Sequence, residues 1–197
     1  MTAQLPESQY AVQLVGPGAL KLNPAKPVPR PGPHEILVKV EAVGLCFSDL
    51  KLLKQFDQHP RKSAIVSGIA PELLDGMQSY VPGKQPTVPG HEIVGRIVAV
   101  GEQVKHHQVG QRCLVQTDYR QLPTAGGSNA AFGYNFEGGL QEYTLLDERV
   151  VIAPDGDHYL IPAGEEKSAS AVALVEPWAC VEGSYATRER NAFRTGG

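Results

Sequence analysis

The chain has 197 residues, with 18 lysines and arginines against 21 aspartates and glutamates, a formal net charge of −3. That length suits one domain with a real core, or one domain and the start of another, and the charge balance gives no electrostatic reason to expect nucleic acid. The basic residues are scattered without an amphipathic cationic helix, so no membrane partner is expected either. The N-terminus lacks the basic and apolar regions of a signal peptide, and no stretch reaches transmembrane length. Three cysteines, Cys46, Cys113 and Cys180, are an odd set without paired spacing. They read as thiols of a reduced protein, and the default location is the cytoplasm.

Short β-rich runs separated by proline and glycine fill the first three quarters, at residues 10–15, 35–43, 92–100, 112–116, 140–146 and 149–152. Val12-x-Leu14 and Ile36-x-Val38-x-Val40 alternate as half-buried strands do. Irregular spacing and 16 prolines argue for a mainly β fold with short helices, arranged as a small, partly open antiparallel barrel. The tail changes character: Ser168 or Ser170 can cap a helix through residues 171–174, and Pro177 suits the first turn of a second helix through Tyr185. Trp178, Val181 and Tyr185 form an apolar set on that second helix which wants a partner. The division expected is therefore a β domain over 1–167 and a helical connection over 168–197.

Chemistry concentrates at three separated places: Gly44-x-Cys46-x-Ser48-Asp49, Pro89-Gly90-His91-Glu92, and Val175-Glu176-Pro177. A thiolate, an imidazole and a carboxylate are the ligand types zinc takes when it keeps a fourth position open. Each alone has a plainer reading, since an isolated cysteine is usually a small buried hydrophobe and a single His-Glu pair ends a strand. Together with Gly95-x-Ile97, Val98-x-Val100-Gly101, Val109-Gly110, Gly138-Gly139-Leu140-x-Glu142-Tyr143 and Leu174-Val175-Glu176-Pro177-x-Ala179-Cys180, the pattern resembles the catalytic domain of the zinc-dependent medium-chain dehydrogenases.

The resemblance implies a GroES-like fold and one catalytic zinc held by Cys46, His91 and Glu176, with water in the fourth position and Glu92 behind the metal. In some polyol dehydrogenases the residue at Glu92 binds the metal directly. Neighbours on a strand point to opposite faces, so His91 and Glu92 reach one ion together only where the backbone bends. Ser48 matches the hydroxyl that contacts the alcohol and relays its proton, with a turn or cap hydroxyl as its plainer role. Asp49 matches the carboxylate that takes the free ring N–H of the histidine ligand; read without the family it is a helix cap. The implied reaction is hydride transfer between a secondary alcohol and NAD or NADP, giving a ketone.

Several features narrow the subfamily. Residues 116–139 contain no cysteine, so a structural zinc of four thiolates is not expected, and Tyr119, Phe132, Tyr134 and Phe136 are expected to pack that lobe. Gly126-Gly127-Ser128-Asn129 is read as a turn. Lys51 stands where several alcohol dehydrogenases place the outer histidine of a proton relay. Excess length falls around residues 56–86, a segment of the kind that forms lids or oligomer contacts. Its neighbourhood carries Lys51, Lys54, Arg61 and Lys62, either a solvated basic surface or a contact for an anionic substrate. His34, His59, His106, His107 and His158 are read as solvated loop residues, and Cys113 and Cys180 as buried thiols.

The Val-Glu-Pro sequence with no cysteine lobe points to the polyol, sugar and sugar-phosphate branch. No strand followed by a G-x-G-x-x-G is present, and in the family a pair such as Gly196-Gly197 precedes a Rossmann domain. The expectation is a catalytic-domain fragment, with NAD or NADP bound by an absent dinucleotide-binding domain and the full-length protein a homo-oligomer. Two other readings are a zinc-free quinone-reductase-like enzyme, which would lack the Cys46 and His91 ligands, and a non-catalytic GroES-like binding or assembly module.

Overall fold

The computed structural model describes residues 5–194, with side chains through residue 186; Gly196-Gly197 lies outside the described residues. In chain order the elements are β1 (Ser8–Gly16), β2 (Ala19–Pro27), β3 (Glu35–Gly44), α1 (Phe47–Gln55), α2 (Pro71–Asp75), β4 (Glu92–Val100), β5 (Arg112–Val115), β6 (Asp118–Pro123), β7 (Asn129–Ala131), β8 (Tyr143–Asp147), α3 (Glu148–Val151), β9 (Leu160–Pro162), α4 (Ala169–Ala173) and α5 (Val175–Arg194). One antiparallel sheet in the order β8-β3-β4-β5-β9 forms the centre. Two hairpins, β1–β2 and β6–β7, complete a mainly β domain with short helices and sheets that do not close.

β3 and β4 are the spine, paired from Ile36 opposite Val100 to Gly44 opposite Glu92. Ile36, Val38, Ile93 and Ile97 meet Tyr119, Phe132 and Phe136 from the β6–β7 lobe in the main core. Burial of that many large apolar side chains supplies the main driving force for folding. The four lobe aromatics are buried as expected, and residues 125–128 form the turn between β6 and β7, with Gly127 at φ +73°, while Asn129, expected in the turn, already belongs to β7. The β1–β2 hairpin is fastened by backbone bonds from Val12 N–H to the Leu140 carbonyl and from Leu14 N–H to the Thr87 carbonyl, at 2.8 and 2.7 Å.

Residues 149–152, expected as strand, form instead most of a single helical turn, α3. The Val150-Val151-Ile152 run favours strand, but the Asp147 carboxylate accepts the Arg149 N–H and pairs with its guanidinium. That N-cap sets the helical turn, and Val150 and Val151 still reach the core from it. The 56–86 segment packs against the domain: Leu74 and Met77 join the main core, Tyr80 bridges to Phe136 and Ile65 to Thr124. Lys62 belongs to neither class expected of it, being 0% exposed and donating its ammonium to the Val81 carbonyl. Arg61 pairs with Asp118.

Two histidines are also corrected. His59 is buried, with Nδ1 accepting the Arg61 N–H and its ring 5.0 Å from Tyr134. The His107 side chain is buried against Glu148. Cys113 is a buried thiol, pushed up to about 12 by burial, whereas Cys180 is exposed on α5. Ser168 caps α4 by accepting the Ala171 N–H, and α5 begins at Val175, two residues ahead of the proline expected to open it. Trp178, Val181 and Tyr185 are exposed along α5, Trp178 at 71%. Among the described residues no helix is long and apolar enough to cross a membrane.

Candidate metal centre

Cys46 stands at the N-cap of α1, where the first backbone N–H groups lack helical partners. Its Sγ accepts the Ser48 N–H at 3.3 Å, while Asp49 reaches back so that its Oδ2 accepts the Cys46 N–H at 3.1 Å. This is a capping box built from cysteine and aspartate. The other Asp49 oxygen accepts the Gly90 N–H at 3.2 Å and lies 3.4 Å from His91 Nδ1. One carboxylate thus ties the start of α1 to the 89–91 loop and sets the two candidate ligands face to face. His91 Nε2 lies 3.3 Å from Cys46 Sγ.

Two glycines make the approach possible. Gly90 has φ +88°, the left-handed region that glycine enters without cost. Gly44 lies opposite Glu92 in the sheet, and a Cβ there would collide with the Glu92 carboxylate. His91 precedes β4, which starts at Glu92, so strand alternation does not separate their side chains. Ligand atoms of Cys46, His91 and Glu92 all lie within 4.8 Å of one another. His91 is 5% and Glu92 1% exposed.

Glu176, at the start of α5, is outside that group. It is nevertheless near enough to raise both Glu92 and His91, and it accepts from the Cys180 thiol at 3.4 Å. Burial pushes Asp49 up, but the neighbouring His91 ring and the bonds from the Cys46 and Gly90 N–H groups outweigh this and leave it below its ordinary value. Burial pushes His91 down, and Asp49, then Glu176 and Glu92, more than reverse it. Glu92 is raised, by burial first, then by Glu176 against the pull of His91. Burial also raises the Cys46 thiol, Asp49 and Glu92 adding to it against the Ser48 hydrogen bonds.

These directions describe a cluster short of positive charge. Glu92 Oε1 is buried with no hydrogen-bond partner among the described residues, a costly state for an isolated carboxylate. A divalent cation between the three groups would satisfy that oxygen and hold the thiol as thiolate. The donor set of one sulfur, one imidazole nitrogen and one carboxylate fits zinc, and Asp49 behind His91 is the partner a metal-bound histidine usually has.

Sequence reasoning brought Cys46, Ser48, Asp49, His91, Glu92 and Glu176 to one place, and they are neighbours. It missed Tyr134, read only as lobe packing, whose ring lies 5.7 Å from His91 and whose phenol is raised by burial and by Asp49 against the pull of Ser48; a single tyrosine inside an aromatic run carried no signal for this. A cavity of about 410 Å³ opens beside Cys46, walled by Leu14, Leu45, Phe47, Leu50, Leu53 and Leu140. Lys51 lies over the Phe47 ring at 5.4 Å.

Residues 32–155 match the family described as alcohol dehydrogenase GroES-like domain. Sorbitol dehydrogenase of Bos taurus is 36% identical over 116 residues, which is 59% of this chain and 26% of that protein. The uncharacterized zinc-type alcohol dehydrogenase-like protein YphC of Escherichia coli is 31% identical over 144 residues, 67% of this chain and 36% of that one. Among solved structures, 2R,3R-butanediol dehydrogenase from Bacillus subtilis shares the fold with a TM-score of 0.60 at 24% identity, over 86% of this chain and 44% of that one. The chain spans about a quarter to a third of the length of these curated relatives. By the match over residues 32–155, the chain belongs to the alcohol dehydrogenase GroES-like domain family of the medium-chain dehydrogenases.

Proposed function

We propose that this chain is the catalytic domain of a zinc-dependent oxidoreductase that interconverts a secondary alcohol and a ketone by hydride transfer with NAD or NADP. The observation that carries this reading is the convergence of Cys46, His91 and Glu92 ligand atoms within 4.8 Å, with Asp49 braced behind His91. Cys46 and His91 hold one zinc, and Glu92 is the third ligand, a choice supported by its membership of that group and its orphaned oxygen. Glu176 then stands behind Glu92, the reverse of the order the family resemblance implies. Bound zinc supplies a Lewis acid that makes the alcohol a stronger acid.

Each remaining role falls to the chain itself. Asp49 fixes the His91 ring by facing Nδ1, leaving Nε2 for the ion. Ser48, held beside the site by α1, relays the substrate hydroxyl proton through its Oγ, giving up its own proton towards solvent as it accepts that of the alcohol. Residues 168–197 are the connection to a dinucleotide-binding domain, which holds the nicotinamide cofactor, and the exposed face of Trp178, Val181 and Tyr185 suits that contact. Full-length protein is proposed to be a homo-oligomer.

The relatives named sorbitol dehydrogenase support a polyol or sugar substrate. A second reading comes from the cavity beside Cys46, whose leucine and phenylalanine walls favour an alcohol with a hydrocarbon substituent. The test is metal analysis of the purified chain together with turnover of the full-length protein on both alcohol classes with NAD and NADP. One zinc per chain lost in Cys46→Ser and in His91→Ala, together with zinc-dependent turnover, is expected; turnover unaffected by either substitution refutes the reading.

A further inference from the structure

On a different part of the surface, three histidines gather where the loop between β4 and β5 meets the turn before β9. The His107 side chain is only 5% exposed, and its Nδ1 lies 2.9 Å from Glu148 Oε1. Glu148 is held in turn by the backbone N–H groups of Lys105 and His106, at 2.8 and 2.9 Å. A carboxylate fixed in this way accepts a hydrogen bond from Nδ1–H, so the lone pair of the ring sits on Nε2. That atom is buried and has no partner among the described residues.

His107 borders a cavity of about 490 Å³ that is also lined by His106, His158, Arg112, Cys113 and Glu165. The His158 ring lies 5.6 Å, centre to centre, from both His106 and His107. Imidazoles that share one ion, each with a metal–nitrogen bond of about 2.1 Å, have ring centres roughly 5–6 Å apart. His158 therefore stands from each of the other two rings at the spacing of ligands on a shared ion, with the rings not yet turned towards one, since among the described residues only Cys46, His91 and Glu92 have ligand atoms mutually within 4.8 Å. His106 and His158 are exposed, and turning their side chains breaks only their contacts with the neighbouring rings of this cluster. Of the two nearby cationic or acidic groups in the cavity wall, Arg112 is paired with Glu41 and Glu165 with Arg96.

We propose that His106, His107 and His158 form a second metal site, for a borderline divalent ion such as Zn²⁺ or Ni²⁺, with Glu148 orienting His107 from behind. The arrangement is the carboxylate–histidine–metal relation on imidazole ligands, which suit zinc, nickel and copper. An ion there ties the β4–β5 loop to the turn before β9. It departs from the single metal per chain expected from the sequence, and it uses no residue of the Cys46 centre.

The test is Zn²⁺ and Ni²⁺ titration by calorimetry on tag-free protein carrying Cys46→Ser and His91→Ala, with the unsubstituted chain measured in parallel for stoichiometry. One saturable equivalent in the double variant is expected. His107→Ala added to it should weaken binding by 100-fold or more, and the exposed His158→Ala by at least tenfold. Glu148→Gln should weaken it by about 10–100-fold. Because His158 is exposed, its variant reports on the site even where His107→Ala misfolds, and the unsubstituted chain should fall from two equivalents to one in His158→Ala. No saturable binding in the double variant, or binding that His158→Ala leaves unchanged, overturns the proposal.

Discussion

Replacing Asp49 tests whether one carboxylate assembles the Cys46 centre. In Asp49→Ala the Cys46 and Gly90 N–H groups lose their acceptor, and His91 Nδ1 loses the oxygen it faces. Loss of the capping partner costs about 1 kcal/mol, and a buried amide left without an acceptor about 1–3 kcal/mol. The expected total is about 2–4 kcal/mol, the contributions sharing one side chain and so not strictly additive. Zinc affinity should fall about 10–100-fold, because the histidine tautomer and ring orientation are no longer fixed. Asp49→Asn retains one acceptor oxygen and removes the charge, so it should cost less stability while still lowering zinc affinity by roughly tenfold. Urea denaturation of the metal-free protein gives the first quantity, and competition with a chromophoric chelator gives the second. Loss of less than 0.5 kcal/mol on the scale of ordinary surface substitutions, with zinc affinity unchanged in Asp49→Ala, would show that the carboxylate does not position His91.

Three further outcomes follow from the same geometry. Glu92→Gln should cost more zinc affinity than Glu176→Gln in chelator competition; the opposite order would return the third-ligand role to Glu176. Gly44→Ala should destabilise by about 1–3 kcal/mol and weaken zinc binding, because the added methyl meets the Glu92 carboxylate; unchanged urea midpoints would show that the strand can shift there at no cost. Burial brings the Lys62 ammonium down from 10.5 to about 8, against the opposing pull of Glu137 and Asp57. Between those values the unfolded chain binds more protons than the folded one, so stability rises with pH in that window and is level below it. From pH 8 to 9.5 the gain is about 2 kcal/mol at the upper limit, and Lys62→Met should abolish it; equal differences in urea stability between the two proteins at pH 7.5 and 9.5 would refute a buried, strained ammonium.

What the sequence disclosed was whatever rests on local pattern. β1 and β3 were legible because Val12-x-Leu14 and Ile36-x-Val38-x-Val40 alternate to fix a face, β4 and β5 because they are short β-rich runs, and α4 because Ser168 supplies its cap. The helical turn at 148–151 was hidden, since its β-branched run reads as strand until Asp147 is seen to cap it. Lys62 and His107 were misread for the same physical reason: the groups that accept them, the Val81 carbonyl and Glu148, stand 19 and 41 positions away. No local composition reports a partner at that distance. The clustering of Cys46, His91 and Glu92 was legible through their flanking residues, but the contest between Glu92 and Glu176 depends on Gly44 and on β4 beginning after His91, which pattern alone does not reveal.

The spacing of 45 positions between Cys46 and His91 illustrates which part of the chain sets the site. Their proximity follows from the register of β3 on β4, which ends with Gly44 opposite Glu92; Cys46 lies two residues beyond one partner and His91 one residue before the other. Chain length between them does not enter that geometry. The intervening residues can therefore lengthen at small cost in loop entropy so long as they find a surface to cover, and here Leu74, Met77 and Tyr80 find the β6–β7 lobe. Asp49 then converts the register into chemistry, since its two oxygens bind backbone on both sides of the gap. The candidate ligands Cys46 and His91 are consequently set by strand pairing and one carboxylate, while the 56–86 segment lies against Tyr134 through His59 and Arg61. Variation in that segment is thus free to reshape the surroundings of Tyr134, whose ring lies 5.7 Å from His91, without resetting the strand register that places Cys46 and His91.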